Sequence, residues 1–149
     1  DHPSGLNPQQ DVHFIRANSP EECVSHITLL LKEILPKKFS IDPNNNVQVL
    51  APLHRGIAGI GNLNDQIRDS INPHGATHSM GFNLFREGDR VIQTRNNYDK
   101  DVFNGDMGII DSVDSVNGKI EILFEGFHYS ANQNSNLILF LSLIHQIKV

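Results

Sequence analysis

The 149 residues suit one domain, or one domain with a small insert. A net charge of −5, from 12 basic against 17 acidic residues, argues against a dedicated basic nucleic-acid clamp but not against one local basic strip. With 38% apolar and 19% charged residues the chain has ordinary soluble-core material, and its longest apolar run, "LILFLSLI", is far too short to span a bilayer.

The opening "DHPSGLNPQQ" is polar and loop-like, shows no signal peptide, and reads as the start of a piece of something larger. "DVHFI" alternates apolar residues at Val12 and Phe14, which predicts a short strand. Ser19, Pro20, Glu21 and Glu22 then form a helix start: an N-cap, a first-position proline, and acids at the positive end of the dipole. Cys23, Ile27, Leu30, Leu31 and Ile34 share one helical face, and the helix is expected to stop before Pro36. Cys23 is the only cysteine, so no internal disulfide is available and a reducing, cytoplasmic setting is the default. On that apolar stripe it reads as a packing residue.

"KKFSIDPNNN" is a turn-rich connector, and "VQVLAP" reads as a strand buried in a parallel sheet. Ile60, Leu63, Ile67 and Ile71 mark a second amphipathic helix that ends at Asn72-Pro73. This βα alternation predicts an α/β domain. "HGATHSMG" reads as a loop. From residue 82 the period becomes two, and "FNLF", "RVIQ", "MGII" and "KIEILF" read as short strands. Asn117-Gly118 carries the signal of a type I′ hairpin, and residues from about 100 to 130 look like a small antiparallel β unit. "SNLILFLSLIH" is expected to return as a buried strand to the main sheet.

Several chemistries lack support. No G-x-x-x-x-G-K-[ST] phosphate loop occurs, "GIAGIG" is not a dinucleotide fingerprint, and no G-x-S-x-G elbow exists. Among eight histidines only His74 and His78 have a suggestive spacing, without the third ligand a zinc site wants. Neither a catalytic residue nor a metal ligand is expected.

Two loops are richer. "LHRGIAG" follows a strand and precedes a helix, where α/β sheets present ligand-facing groups. Arg55 can pair with a phosphate and His54 can donate beside it, or the segment is a solvated helix entry. In "QTRNNYDKDVFNGDMG", Gln93, Arg95, Asn96 and Asn97 offer donors next to Tyr98, a combination that holds nucleic-acid strands by backbone contacts and base stacking. The same asparagines suit a tight turn, and in "FNGD" the side chains flanking Gly105 can bond their own backbone. On chemistry alone the turn reading is the stronger.

"VQVLAPLHRGIAGIGNLNDQIRDSINP", "FREGDRVIQTRNNYDKDVFNGDMGII" and "LILFLSLIH", in this order and spacing, resemble the C-terminal motor region of RecD-like DNA helicases. That family includes the exodeoxyribonuclease V alpha subunit and stand-alone relatives, and the resemblance runs from "DVHFI" to His145. It implies an α/β fold: a partial RecA-like (P-loop NTPase-type) second motor domain, residues 1–99 and 132–149, with an SH3-like antiparallel β-barrel inserted at 100–131. It implies a piece of an ATP-dependent 5′–3′ DNA helicase of repair and recombination, with ATP and Mg²⁺ as cofactors of the parent and none for this chain alone.

The residues the resemblance nominates for single-stranded DNA are His54, Arg55, Gln93, Arg95, Asn96 and Asn97, with His145 left from a motif that couples ATP state to DNA grip. The family continues that motif as His-Lys-Ser-Gln-Gly-Ser-Glu, whereas this chain reads His145-Gln146-Ile147-Lys148-Val149. The ATP-cradling loop and the Mg²⁺-binding acidic motif of the first motor domain are not in these residues. Implied partners are single-stranded DNA, held weakly, the first motor domain, and exodeoxyribonuclease V subunits. Half a parallel sheet would also leave edges through which a homodimer could form. No membrane partner is expected. The rival expectations are a non-catalytic protein-interaction module on the small barrel, or an inactive remnant.

Overall fold

A computed structural model describes residues 2–53, 55–80, 83–132, 139–141 and 144–146. The chain divides into two compact units, one of Asp1–Pro73 with Leu143–Val149, the other of His74–Ser142.

In the first unit a 3₁₀ turn, Pro3–Gly5, precedes α1 (Pro20–Leu29). Ser19 caps α1 as its sequence predicts, its side chain accepting from the Glu22 N–H at 3.2 Å. Glu22 reaches back to accept from the Asn18 backbone N–H at 2.6 Å and from Asn18 Nδ2 at 2.9 Å. These donors hold the Glu22 carboxyl below the usual carboxylate range, with help from the nearby His26 and His2.

The helix does not stop at Pro36. It passes through a π-helical turn, Leu30–Ile34, into α2 (Leu35–Phe39). Proline removes one N–H and pushes its ring against the carbonyl four residues back. The wider π turn, in which the Leu35 N–H donates to Leu30 O, makes room for that ring. The helix ends at Ser40, in the left-handed region with φ 56°, with the Ile41 N–H donating to Leu35 O at 3.0 Å.

Next come α3 (Pro43–Asn46), β1 (Val49–Ala51) and α4 (Ile60–Ile71). The α4 stripe packs as its period predicts: Ile60, Leu63 and Ile67 are buried together with Val24, Leu31 and Ala51, and Ile71 lies against them. Of the expected stripe, Leu31, in the π turn, is buried and Ile27 packs against the same core; Val24, which the stripe omitted, is the buried residue of α1, and Cys23 is half-buried. β1 is not buried on both faces, since Leu50 is exposed.

The strand expected at "DVHFI" is absent. Val12 and Phe14 are 84% and 83% exposed, and no backbone pairing gathers residues 11–17 into a ladder. Alternation marks a strand only when a partner strand accepts its edge.

The second unit begins with a hairpin, β2 (Thr77–Met80) and β3 (Asn83–Arg86), where a loop was expected at 74–81. β4 (Arg90–Gln93), β5 (Met107–Asp114), β6 (Lys119–Phe124), β7 (Phe127–Asn132) and β8 (Leu139–Leu141) form one antiparallel sheet in the order β7-β6-β5-β4-β8. Its core is Phe85, Val91, Val102, Ile110, Ile120, Ile122, Phe124, Tyr129 and Ala131. Among the described residues no pairing joins β7 to β8, so these residues show no closed barrel.

The β5–β6 hairpin is where Asn-Gly predicts it, but its turn differs. Only Gly118 has positive φ, 64°, and four residues separate Asp114 from Lys119, its partner in the ladder. A type I′ turn needs two such residues. Here the Asp114 carboxylate closes the loop instead, accepting from the Val116 and Asn117 N–H groups at 3.1 and 3.0 Å and from Asn117 Nδ2 at 2.6 Å.

The expected single return strand is split. β8 runs antiparallel to β4, and β9 (Ile144–Gln146) runs parallel to β1 in the first unit. That parallel pair, with α1 and α4, is the α/β feature visible among the described residues.

Candidate nucleic-acid interface

Residues 93–108 connect β4 to β5 and fold back on themselves twice. At the root, the Gln93 N–H donates to Asp106 O and the Gly105 N–H donates to Gln93 O, both at 2.8 Å. Farther out, Asn97 and Val102 exchange backbone hydrogen bonds at 2.6 and 3.1 Å, closing a four-residue tip, Tyr98 to Asp101. Val102 is fully buried and anchors that tip in the core. Asp101 adopts φ 55° and Gly105 φ 101°, so each bend has a left-handed residue. Asp106 accepts from the Phe103 N–H at 2.7 Å, the side-chain-to-backbone bond that "FNGD" suggests.

The nominated residues separate on this scaffold. Gln93 is 0% exposed. Its Nε2 donates to Arg95 O at 2.6 Å, while its Oε1 is buried with no hydrogen-bond partner. Its side chain faces inward and shapes the loop. Asn96 is exposed but engaged at both ends: Oδ1 accepts from the Asn104 N–H at 2.8 Å and Nδ2 donates to the Tyr98 hydroxyl at 2.9 Å. Asn97 is half-buried at the bridge, and Arg95 is exposed. The sequence did not single out Phe103, which packs edge-on against Tyr98 with ring centroids 6.1 Å apart. An aromatic inside a polar run was the available signal. The loop carries Arg95 and Lys100 against Asp99, Asp101 and Asp106, so its own charge is slightly negative.

In the first unit, Arg55 is exposed on the loop between β1 and α4. The loop is tight: Gly56 has φ 90°, and a Cβ on Gly59 would lie 2.6 Å from the Arg55 carbonyl. The Ile60 N–H donates to Leu53 O and the Gly59 N–H to Gly56 O, both at 3.0 Å. His54 lies outside the described residues. The His145 backbone pairs opposite Leu50 on β9, and its side chain lies outside the described set. Among the described residues no three His, Cys, Asp or Glu side chains gather to hold a metal ion, and no helix is long and apolar enough to cross a membrane.

Residues 63–124 match the family model described as the SH3 domain of ATP-dependent RecD-like DNA helicases. The match starts in α4 and ends at the last residue of β6, so it contains the whole 93–108 loop. The chain is also similar to the ATP-dependent RecD2 DNA helicase of Deinococcus radiodurans, at 31% identity over 80 residues. That alignment spans 54% of this chain and 11% of the relative. Two solved structures of Pif1 helicase from Bacteroides have a loosely similar chain path. A double mutant gives 16% identity and a TM-score of 0.47, covering 82% of this chain and 35% of its own. The unliganded protein gives 15% and 0.48, covering 90% and 41%.

Proposed function

We propose, for a chain whose residues 63–124 match the model of the RecD-like DNA helicase SH3 domain, that it contributes single-stranded DNA contacts to an ATP-dependent 5′–3′ helicase of the RecD and exodeoxyribonuclease V alpha type. The observation that carries this reading is the position of the family match, which encloses the exposed loop bearing Arg95, Tyr98 and Lys100. In this reading the parent acts in repair and recombination in the cytoplasm. The first unit is part of a RecA-like second motor domain, and the second unit, His74–Ser142, within which the expected 100–131 insert falls, is inserted in it. ATP and Mg²⁺ are held by the first motor domain, which is this chain's main protein partner; exodeoxyribonuclease V subunits are the others. Arg55 and Arg95 make phosphate contacts, each on its own unit. Gln93 and Asn96 act by holding the 93–108 loop in shape.

The test is binding of the purified chain to labelled oligo-dT across a salt series. Two phosphate contacts on a single strand give a log–log slope of about −1.4. Arg95→Ala should make that slope shallower by about 0.7. Absence of binding at low salt overturns the reading.

One observation favours a second reading, a protein-docking module. Met107, Ile109 and Leu123 are exposed, and Ile109 lies directly opposite Leu123 on the outward side of the β5–β6 ladder. Capture of a protein partner with DNA removed, abolished by Leu123→Asp, would support it. Light scattering would show whether that partner is a second copy.

A further inference from the structure

We infer that Tyr98 is a base-stacking platform, which adds a reader of unpaired bases to the phosphate contact at Arg95. The inference rests on the single-strand reading above and names the contact that delivers it.

The argument starts from charge. Two cations against three carboxylates give this loop no net attraction for a phosphate backbone. Beyond the one contact at Arg95, its grip on a strand must come from another source, and the loop displays one. Tyr98 is 77% exposed and Phe103 40%. Large aromatics normally bury 150–250 Å² each and stabilise a fold by doing so, yet Tyr98 leaves most of its ring in water.

The ring is nevertheless held. Asn96 Nδ2 donates to its hydroxyl at 2.9 Å, the Asn104 N–H fixes Asn96 through Oδ1 at 2.8 Å, and the Phe103 ring packs against it at 73°. Its backbone follows the Asn97–Val102 bridge, whose Val102 end is sunk in the core. An exposed ring with its orientation set in advance loses little entropy when a flat partner stacks on it. Nucleobases are such partners, and every base offers a π-face, so the contact tolerates sequence. In a duplex those faces are already covered by neighbouring bases. The platform therefore selects single strands.

The composition supplies a direct readout. Tyr98 and Tyr129 are the only tyrosines, there is no tryptophan, and Tyr129 is buried. Stacking on Tyr98 should quench the exposed share of the tyrosine emission. The experiment titrates the full chain with dye-labelled oligo-dT and with an abasic strand of the same length and charge, following dye anisotropy and tyrosine emission together. The expected result is quenching by oligo-dT alone, and tighter binding of oligo-dT by roughly five- to a hundredfold, the range for base–aromatic stacking. Tyr98→Ala should abolish both the quenching and the base preference, and Tyr98→Phe, which keeps the ring but loses the Asn96 bond, should weaken the preference without abolishing it. Asn96→Ala should weaken the preference by loosening the ring.

Equal affinity for the two strands without quenching overturns the stacking inference and leaves the single-strand reading standing. Binding to neither strand overturns both. The comparison of strands uses the unaltered chain, so it decides the matter even if a variant fails to fold.

Discussion

The side-chain amide of Gln93 donates to the backbone carbonyl of Arg95 at 2.6 Å. It thereby ties the fully buried end of β4 to the first exposed residue of the loop. A residue whose type suggests a nucleic-acid contact is in this fold an internal strut.

Gln93→Ala should therefore act on stability. The change removes a buried hydrogen bond and leaves a void in the core. We expect a loss of about 2–4 kcal/mol in chemical denaturation. Gln93→Glu should cost more, since a charge would be buried where the amide was. Unchanged denaturation midpoints combined with weakened strand binding would instead make Gln93 a contact residue.

Gly108 carries the second prediction. A Cβ there would stand 2.8 Å from Ile122 Cγ2 and 2.9 Å from Leu123 O, on a neighbouring strand that cannot swing aside. Gly108→Ala should destabilise the second unit by about 1–3 kcal/mol through overpacking. Amide exchange at Ile110 and Ile122 should accelerate. Gly105→Ala meets open space and should be penalised only through its φ of 101°.

Acid should weaken two local structures. Hydrogen bonds from Asn117 side chain and backbone hold the Asp114 carboxyl below its usual range, and the Asn18 donors do the same for Glu22. A carboxyl lowered on folding stabilises the fold above its unfolded pKa, and that stability fades as pH falls through the lowered folded value. The window thus opens below about pH 4. NMR titration should place both carboxyl midpoints below those of short peptides. Asp114→Asn should flatten the acid limb of thermal stability, and an unchanged limb would refute the account.

ATP turnover is the fourth prediction. The 149 residues hold no G-x-x-x-x-G-K-[ST] loop, the element whose backbone cradles the phosphates in such motors. The purified chain should release no phosphate from ATP above background, with or without single-stranded DNA. DNA-stimulated release from material free of contaminating ATPase would contradict it.

Much of the local structure was legible in the chain. Ser19-Pro20-Glu21-Glu22 starts a helix because N-capping, proline at the first turn and acids at the dipole's positive end all act within four residues. Ile60, Leu63 and Ile67 are buried because the 3.6 period alone places them on one face. The β unit and its polar connector were visible in the change of period, and the family resemblance rested on that same connector.

Tertiary structure decided what depends on partners distant in sequence. Val12 and Phe14 alternate, but among the described residues no strand pairs with their edge. Thr77–Met80 looks like loop and becomes a strand because Asn83–Arg86 pairs with it. One apolar run became two strands because β4 claims Leu139–Leu141 while β1 claims Ile144–Gln146. Within the loop, Gln93, Asn96 and Tyr98 are all polar-capable and close in sequence. Only the closure of Asn97 on Val102 and of Gln93 on Gly105 turns the first inward, ties up the second and leaves the third in the open. Residue type and spacing act over one or two turns of chain; which way a side chain points is set by backbone contacts that close only when the fold does.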